Sequence, residues 1–245
     1  MKKAIFLFDY TGIMAQPWAD AGYLCYCFDG QHHEGVTPGP HKNIINVGMW
    51  FSNDAKGRDQ ERDIQNILAV TGNNVSFVFG FPECTDLAVS GAAHFAQKRA
   101  VNPLFQYEAM MHFYLIEALA NGLNCKWALE NPVSVAASLW RKPDHYFHPH
   151  EYGGYLPEDD AHPLYPEYIK PRDAYPKKTG IWGGNGFVMP EKKPVHVEPG
   201  FSDQHKKLGG KSLKTKNIRS ATPRGFALAV QQCNAKQNVL LGSSE

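Results

Sequence analysis

The chain has 245 residues, of which 43% are hydrophobic and 20% are charged, so it is long enough for one soluble domain with a complete core. Its formal net charge of +1 excludes a strongly basic protein, but a balanced total can still contain a local basic patch. The composition therefore neither requires nor excludes a nucleic-acid partner.

The sequence carries no strong targeting or metal-binding signal. The amino-terminal apolar run ends at Asp9 and is too short for a signal peptide, and no other stretch approaches the ~20 apolar residues of a membrane span. We therefore expect a cytoplasmic protein without a membrane partner. The five cysteines contain no C-x-x-C pair, which argues against a zinc site or a disulfide framework. The histidines of the Pro- and Gly-rich loops have no fixed ligand spacing, so we predict no metal site.

Strand-like and helix-like segments alternate in the first half of the chain, which predicts an α/β fold with a parallel sheet. The first strand is predicted at residues 4–8 and a short helix at 17–22. A second strand is predicted at 23–28, closed by Asp29. The following stretch, residues 31–57, is rich in Gly, Pro, His and Asn and gives no clear element.

Periodic apolar residues predict a helix over residues 58–70 and a longer one over 102–122, each ended by a turn rich in Asn and Gly. Buried strands are predicted at 75–79 and 125–129, where short apolar runs are bounded by turn residues. The stretch 143–176 is rich in Pro, Tyr and His, and we predict a long ordered loop or an insertion there. The whole chain is expected to form a single domain.

Strand-like character returns at residues 177–182. Residues 190–218 are loop-like and contain a cluster of lysines: Lys206, Lys207, Lys211, Lys214 and Lys216. A lysine cluster usually forms a solvated face, but it can also contact phosphate, and both interpretations stay open. The last helix is predicted at 224–235, with Thr222 as its amino-terminal cap.

Two short polar strings follow predicted strands. The string FPECTD at residues 81–86 contains Cys84, and LENP at 129–132 contains Glu130. Because ligands bind at the carboxyl ends of parallel strands, we expect these two side chains to share one crevice. A thiol beside a carboxylate is typical of nucleophilic catalysis supported by an acid. Taken singly, Cys84 would be a buried apolar residue, and Glu130 would form a cap or loop hydrogen bond.

Four motifs occur in order along the chain: FDYTG at 8–12, PECT at 82–85, ENP at 130–132 and RSATPR at 219–224. In this order and spacing they resemble motifs of the DNA cytosine-5 methyltransferases, especially the short bacteriophage-type members. The resemblance covers most of residues 4–145 and patches around 177–182 and 219–228. It implies a doubly wound, mostly parallel sheet of the S-adenosylmethionine-dependent, Rossmann-like methyltransferase type.

The resemblance also implies S-adenosylmethionine as cofactor, DNA as partner and carbon 5 of cytosine as methyl acceptor. Cys84 would add to carbon 6 of the ring, while Glu130, followed by Asn131 in the same motif, would hydrogen-bond N3 and the exocyclic amine. Because carbon 6 is hidden in a duplex stack, the base would be flipped out or already unpaired. For a phage-encoded protein, the compartment would be the host bacterial cytoplasm.

The implied binding residues form two sets. The cofactor set combines a turn before a helix, a ribose-binding carboxylate and a proline of the nucleophile loop: Phe8, Asp9, Tyr10, Thr11, Gly12, Asp29 and Pro82. The substrate set comprises Glu83, Thr85, Ser90, Arg141, Lys177, Lys178, Thr179, Arg219 and Thr222. Residues 190–218 would form a reduced, basic DNA-contacting segment.

The chain departs from the family at two positions near the predicted site. Glu83 stands where the family has proline, and a carboxylate facing a thiol raises the thiol's pKa. Lys177 and Lys178 stand nearest to the family's Gln-Arg-x-Arg motif without its bidentate arginine geometry. About forty residues separate Thr179 from Arg219, too few for a large recognition domain. Two alternatives therefore stay open: modification of a free nucleotide or transfer of another group on the same scaffold, and a catalytically inactive DNA- or protein-binding relative.

Overall fold

The computed structural model describes residues 1–54, 56–200, 202–210 and 212–235. Its strands are β1 (Lys3–Leu7), β2 (Leu24–Pro38), β3 (Ile44–Gly48), β4 (Phe77–Gly80), β5 (Lys126–Pro132), β6 (His145–Phe147) and β7 (Thr179–Gly184). Its α-helices are α1 (Gln16–Asp20), α2 (Gln60–Thr71), α3 (Phe95–Val101), α4 (Phe105–Gly122), α5 (Ala136–Leu139), α6 (Asp203–Lys207), α7 (Leu213–Ser220) and α8 (Arg224–Asn234).

The strands form one seven-stranded sheet in the order β3-β2-β1-β4-β5-β7-β6. Strands β1, β2, β4 and β5 pair in parallel, and residues 25–29 of β2 also pair in parallel with β3. Residues 36–38 of β2 pair with β3 in the opposite direction, and β7 runs antiparallel to both β5 and β6. The order changes direction between β1 and β4, which makes this pair the switch point of the sheet. The predicted α/β class with a mostly parallel sheet is confirmed, and the architecture is compatible with a Rossmann-like fold.

Alternating side chains of the strands pack into two cores, one on each face of the sheet. On one face, Phe6 of β1 packs with Trp18 of α1 and Phe226 of α8. On the other face, Leu7 packs with residues of α2 and α4, including Phe113. Because both faces are covered, the central strands β1 and β4 are apolar almost throughout their length. None of the helices in the described ranges has the length and hydropathy that a bilayer crossing requires.

The stretch that gave no clear element contains the main error of the sequence-based prediction. Strand β2 does not end before Asp29 but continues to Pro38, and β3 lies entirely within this stretch. Gly48 pairs first with Asp29 and then with Glu34, because the chain passes closely over the end of β3. A Cβ on Gly48 would clash with the carbonyl group of His33, so the passage requires glycine.

Three further expectations need refinement. The segment 143–176 is not only a loop, because it contributes the edge strand β6 and several 3-10 turns. The segment 190–218 contains the helices α6 and α7, and Lys211 of its predicted lysine cluster lies outside the described residues. Thr222 does not cap α8: the cap position is occupied by Pro223, which provides no side-chain hydrogen bond.

Candidate active site at the switch point of the sheet

Two loops leave the sheet side by side where its strand order changes direction. Strand β1 ends at Leu7 and β4 ends at Gly80, and these two residues are paired neighbours. The loop after β1 begins at Phe8, and the loop after β4 carries Cys84. In open α/β sheets, ligand crevices form outside the strand ends at this point. The predicted cofactor turn and the predicted nucleophile therefore flank the same crevice.

The side chain of Asp9 organises the turn after β1. Its Oδ1 accepts a hydrogen bond from the Gly12 N–H at 2.9 Å and one from the Thr11 hydroxyl at 3.2 Å. Both Phe8, with φ of 61°, and Gly12, with φ of 67°, have left-handed backbone conformations. The Phe8 ring packs on the ring of Phe51 at a centroid distance of 4.9 Å. Two kinds of contact thus stabilise the tight turn: hydrogen bonds to the Asp9 carboxylate and packing of the Phe8 ring on Phe51.

Asp9 is only 3% exposed, and its Oδ2 has no hydrogen-bond partner among the described residues. Burial raises its pKa to about 6, although the bonds from Gly12 and Thr11 oppose this change. The negative charge of Asp29 raises the pKa of Asp9 further. A buried carboxylate with one unpaired oxygen is costly, which marks this turn as a candidate functional site.

Asp29 lies beside the turn, at the position in β2 that pairs with the end of β3. Its Oδ1 accepts a hydrogen bond from the Gln31 N–H at 2.7 Å. Burial raises the pKa of Asp29, the Gln31 bond and the nearby His32 lower it, and the charge of Glu83 raises it. Tyr10 lies in the same region, where its ring is 5.4 Å from that of His32.

Trp50 is a candidate site residue that the sequence analysis missed. It is 79% exposed, which is unusual for a tryptophan, and its ring lies so close to Gly30 that a Cβ there would clash with it. Gly30 directly follows Asp29, so an aromatic surface is presented next to that carboxylate. Trp50 lies in the stretch 31–57, whose fold the sequence pattern did not reveal, so its position could not be foreseen.

A buried hydrogen bond joins the two predicted catalytic motifs. Strand β5 continues through Glu130 and Asn131 instead of ending at Leu129, because the antiparallel partner β7 pairs with it as far as Pro132. Asn131 is completely buried, and its Nδ2 donates to the carbonyl oxygen of Pro82 at 2.9 Å. The backbone at the end of β5 is therefore tied to the loop that carries the cysteine.

Cys84, Glu130 and Lys177 form the electrostatic centre of the site. Burial raises the pKa of the partly buried Cys84 thiol, the Lys177 ammonium lowers it, and the charges of Glu130 and Glu83 raise it. Burial also raises the pKa of the Glu130 carboxyl, while the charge of Lys177 and the nearby Thr179 hydroxyl lower it. The charge of Lys177 thus favours the ionised form of both the thiol and the carboxyl group.

The sheet register explains why Lys177 reaches this edge. Strand β7 begins at Thr179, which pairs with Pro132 at the end of β5. Because the two strands are antiparallel, the residues that precede β7 lie at the edge where β5 ends. The Lys177 Nζ also donates to the carbonyl of Arg219 at 3.1 Å, which connects the site to the end of α7.

Two predicted substrate residues are engaged elsewhere in the structure. The Lys178 ammonium lies over the ring of Tyr146, 4.7 Å from its centroid. The Arg141 guanidinium donates to the Asp144 carboxylate at 2.8 Å and to the Gly183 carbonyl at 3.1 Å. Both cations therefore already have partners in the strand pair formed by β6 and β7 and in the turn before it.

The other predicted substrate residues occupy different environments. The Arg219 guanidinium donates to the Leu208 carbonyl at 2.6 Å, so it supports the chain between α6 and α7. Thr222 is buried, whereas Ser90 is exposed in the 3-10 helix that follows the Cys84 loop. Within the described ranges, no group of three or more His, Cys, Asp or Glu side chains could hold a metal ion.

Comparison of the sequence with protein-family models and with curated proteins found no relative from which a function could be transferred. No protein-family model matches the sequence, and none of the curated proteins matches it. Since a fold alone does not define an activity, the function has to be inferred from the chemistry of the site.

Proposed function

We propose that the protein transfers a methyl group from S-adenosylmethionine to carbon 5 of cytosine in DNA, through a covalent bond between Cys84 and carbon 6. The proposal is supported chiefly by the convergence of Cys84, Glu130 and Lys177 beside the turn of residues 8–12. A nucleophile, a carboxyl group and a cation at the switch point are the groups needed for covalent attack on a pyrimidine ring. The motif resemblance supplies the reaction class.

The groups around the turn fit S-adenosylmethionine. Asp29 could bond the ribose hydroxyls, and the exposed ring of Trp50 beside it could stack on the adenine. The unpaired Oδ2 of Asp9 adds negative charge next to a turn whose backbone leaves open space at Gly12. The carboxylates around this turn suit a ligand that carries a sulfonium and an ammonium group. When bound, this cofactor would supply the methyl group.

Cys84 acts as the nucleophile in the proposed reaction. Its thiol loses a proton, and Sγ forms a bond to carbon 6, which shifts the electron pair of the ring double bond to carbon 5. After carbon 5 is methylated, its proton passes to solvent water, the electron pair left behind restores the carbon 5–carbon 6 double bond, and the Sγ–carbon 6 bond breaks to release the thiolate. Lys177 assists ionisation, because its charge lowers the thiol pKa that burial raises.

Glu130 stabilises the ring while the adduct forms. In the proposed reaction, the carboxyl group donates a hydrogen bond to N3 and accepts one from the exocyclic amine. Burial raises the pKa of this carboxyl group and so favours the protonated form that this role needs. Asn131 is a positioning residue here, since its hydrogen bond to Pro82 fixes the distance between Glu130 and the cysteine loop. The base must leave a duplex stack, or come from a single strand, to reach these groups.

Mass spectrometry of nucleosides tests the proposal. Single- and double-stranded DNA is incubated with the protein and S-adenosylmethionine, using Cys84→Ala as the test variant and Cys233→Ala, another partly exposed cysteine, as the matched control. We expect a methyl increment on deoxycytidine that disappears only in Cys84→Ala. Unchanged DNA despite cofactor binding would favour a free-nucleotide acceptor or an inactive binding protein. Failure to bind S-adenosylmethionine would refute the cofactor assignment.

A further inference from the structure

Helix α7 bridges the loops that form the candidate active site. Its Asn217 donates from Nδ2 to Gln31 Oε1 at 3.0 Å, next to the predicted ribose carboxylate. Its Lys216 Nζ lies 3.9 Å from Glu83 Oε1, in the loop of the nucleophile. A carbonyl near its carboxyl end accepts a hydrogen bond from Lys177 at 3.1 Å. The basic carboxyl-terminal segment therefore contacts the site itself, not only the surface around it.

Glu83 places a second carboxylate directly beside the nucleophile. Its Oε1 accepts a hydrogen bond from the Thr85 hydroxyl at 2.7 Å, so the carboxylate is held close to its own loop. Its charge raises the pKa of the Cys84 thiol. Left uncompensated, this carboxylate would oppose formation of the thiolate that the proposed reaction requires.

We propose that Lys216 is a positioning residue that holds the Glu83 carboxylate and offsets its charge, so that Cys84 can ionise next to it. This inference rests on the proposed function, because it takes the Cys84 thiolate as the working nucleophile. Lys216 acts through Glu83, whereas Lys177 acts on the thiol directly. The glutamate that precedes the nucleophile and the lysine of α7 then act together as one ion pair.

The charges around Cys84 come from several elements, and some of them oppose ionisation of the thiol. Glu130 of β5 opposes ionisation of the thiol, and Lys177 before β7 favours it. In the same loop, Asp86 is paired with Lys98 of α3. Glu83 also raises the pKa of the thiol, and it is the carboxylate that Lys216 contacts.

The expected effect is small but measurable. The side chains of Lys216 and Glu83 are 54% and 64% exposed, so solvent and salt screen the ion pair. We therefore expect Lys216→Gln to raise the Cys84 pKa and so to slow alkylation of this thiol about two- to threefold at low ionic strength, and less at 1 M salt. Glu83→Gln should lower the pKa of the same thiol.

The test is the pH dependence of iodoacetamide alkylation at Cys84, followed by peptide mass spectrometry. The parent, Lys216→Gln, Glu83→Gln and the double variant are compared, with Cys233 as the reference thiol in each molecule. Lys214→Gln removes an exposed lysine from the same helix and serves as the matched control. We expect Lys216→Gln to raise the Cys84 pKa in the parent background and to have no effect once Glu83 is glutamine.

Two results would overturn the inference. An equal rise in both backgrounds would show that Lys216 acts without Glu83, and no rise in the parent background would show that the pair does not affect the thiol. The alkylation experiment uses neither DNA nor S-adenosylmethionine, so it is independent of the methylation test. A protein that shows the expected thiol coupling but no methyl transfer would refute the proposed function while leaving the Lys216–Glu83 relation intact.

Discussion

We expect Asp9 to destabilise the folded protein at neutral pH. Its pKa is about 6 in the fold, against an ordinary value of 3.8, because burial disfavours the ionised form. The stability contributed by the neutral form is complete below about pH 4 and is lost as the pH rises through 6. A difference of about two pKa units corresponds to roughly 3 kcal/mol. Asp9→Asn keeps an oxygen that can accept from Gly12, so it should gain about 3 kcal/mol relative to the parent between pH 4 and 7.

Urea unfolding of both proteins at several pH values measures this difference. Asp159→Asn, which changes an exposed aspartate, is the matched control and should show no comparable trend with pH. If the carboxylate is retained for the cofactor, Asp9→Asn should also bind S-adenosylmethionine more weakly although it is more stable. A stability difference that does not change with pH would refute the description of Asp9 as a buried acid with a raised pKa.

Three other substitutions test separate parts of the structure. Asn131→Ala removes a fully buried amide and should lower the unfolding free energy by about 2 kcal/mol, whereas the exposed Asn74→Ala should not; equal losses in urea melts would contradict this. S-adenosylmethionine should quench tryptophan fluorescence in the parent but not in Trp50→Phe, and equal quenching would remove this ring from the cofactor site. Arg224→Ala leaves the buried carboxylate of Asp160 without its cation, so we expect a loss of about 3 kcal/mol and faster limited proteolysis of the segment 143–176 that contains it.

The elements that the sequence predicted well have strong local patterns. The helix expected at 102–122 is observed as α4 (Phe105–Gly122), and the helix expected at 58–70 is observed as α2 (Gln60–Thr71). Their apolar residues repeat with helical spacing and their ends carry turn residues. Strand β3 was missed because it lies among Gly, His and Asn residues, and its pairing with β2 depends on contacts that local propensity does not encode.

The candidate site likewise contains some residues whose positions the sequence predicts and others whose positions it does not. The proximity of Cys84 and Glu130 could be predicted, because both follow from the rule that parallel strands end at one edge of the sheet. The positions of Trp50 and Lys216 could not be predicted in this way, because they depend on how an irregular stretch and a carboxyl-terminal helix pack against that edge. Periodicity locates strands and helices, but it does not specify which distant side chains meet.

Covalent trapping is the most direct test of the central claim. An oligonucleotide containing 5-fluorodeoxycytidine is incubated with the protein and S-adenosylmethionine; the fluorine cannot leave carbon 5 as a proton does, so the adduct persists. We predict a stable protein–DNA complex whose cross-linked peptide contains Cys84, and no complex with Cys84→Ala. A parent protein that binds S-adenosylmethionine but forms no adduct, or an adduct that survives Cys84→Ala, would contradict the proposed mechanism.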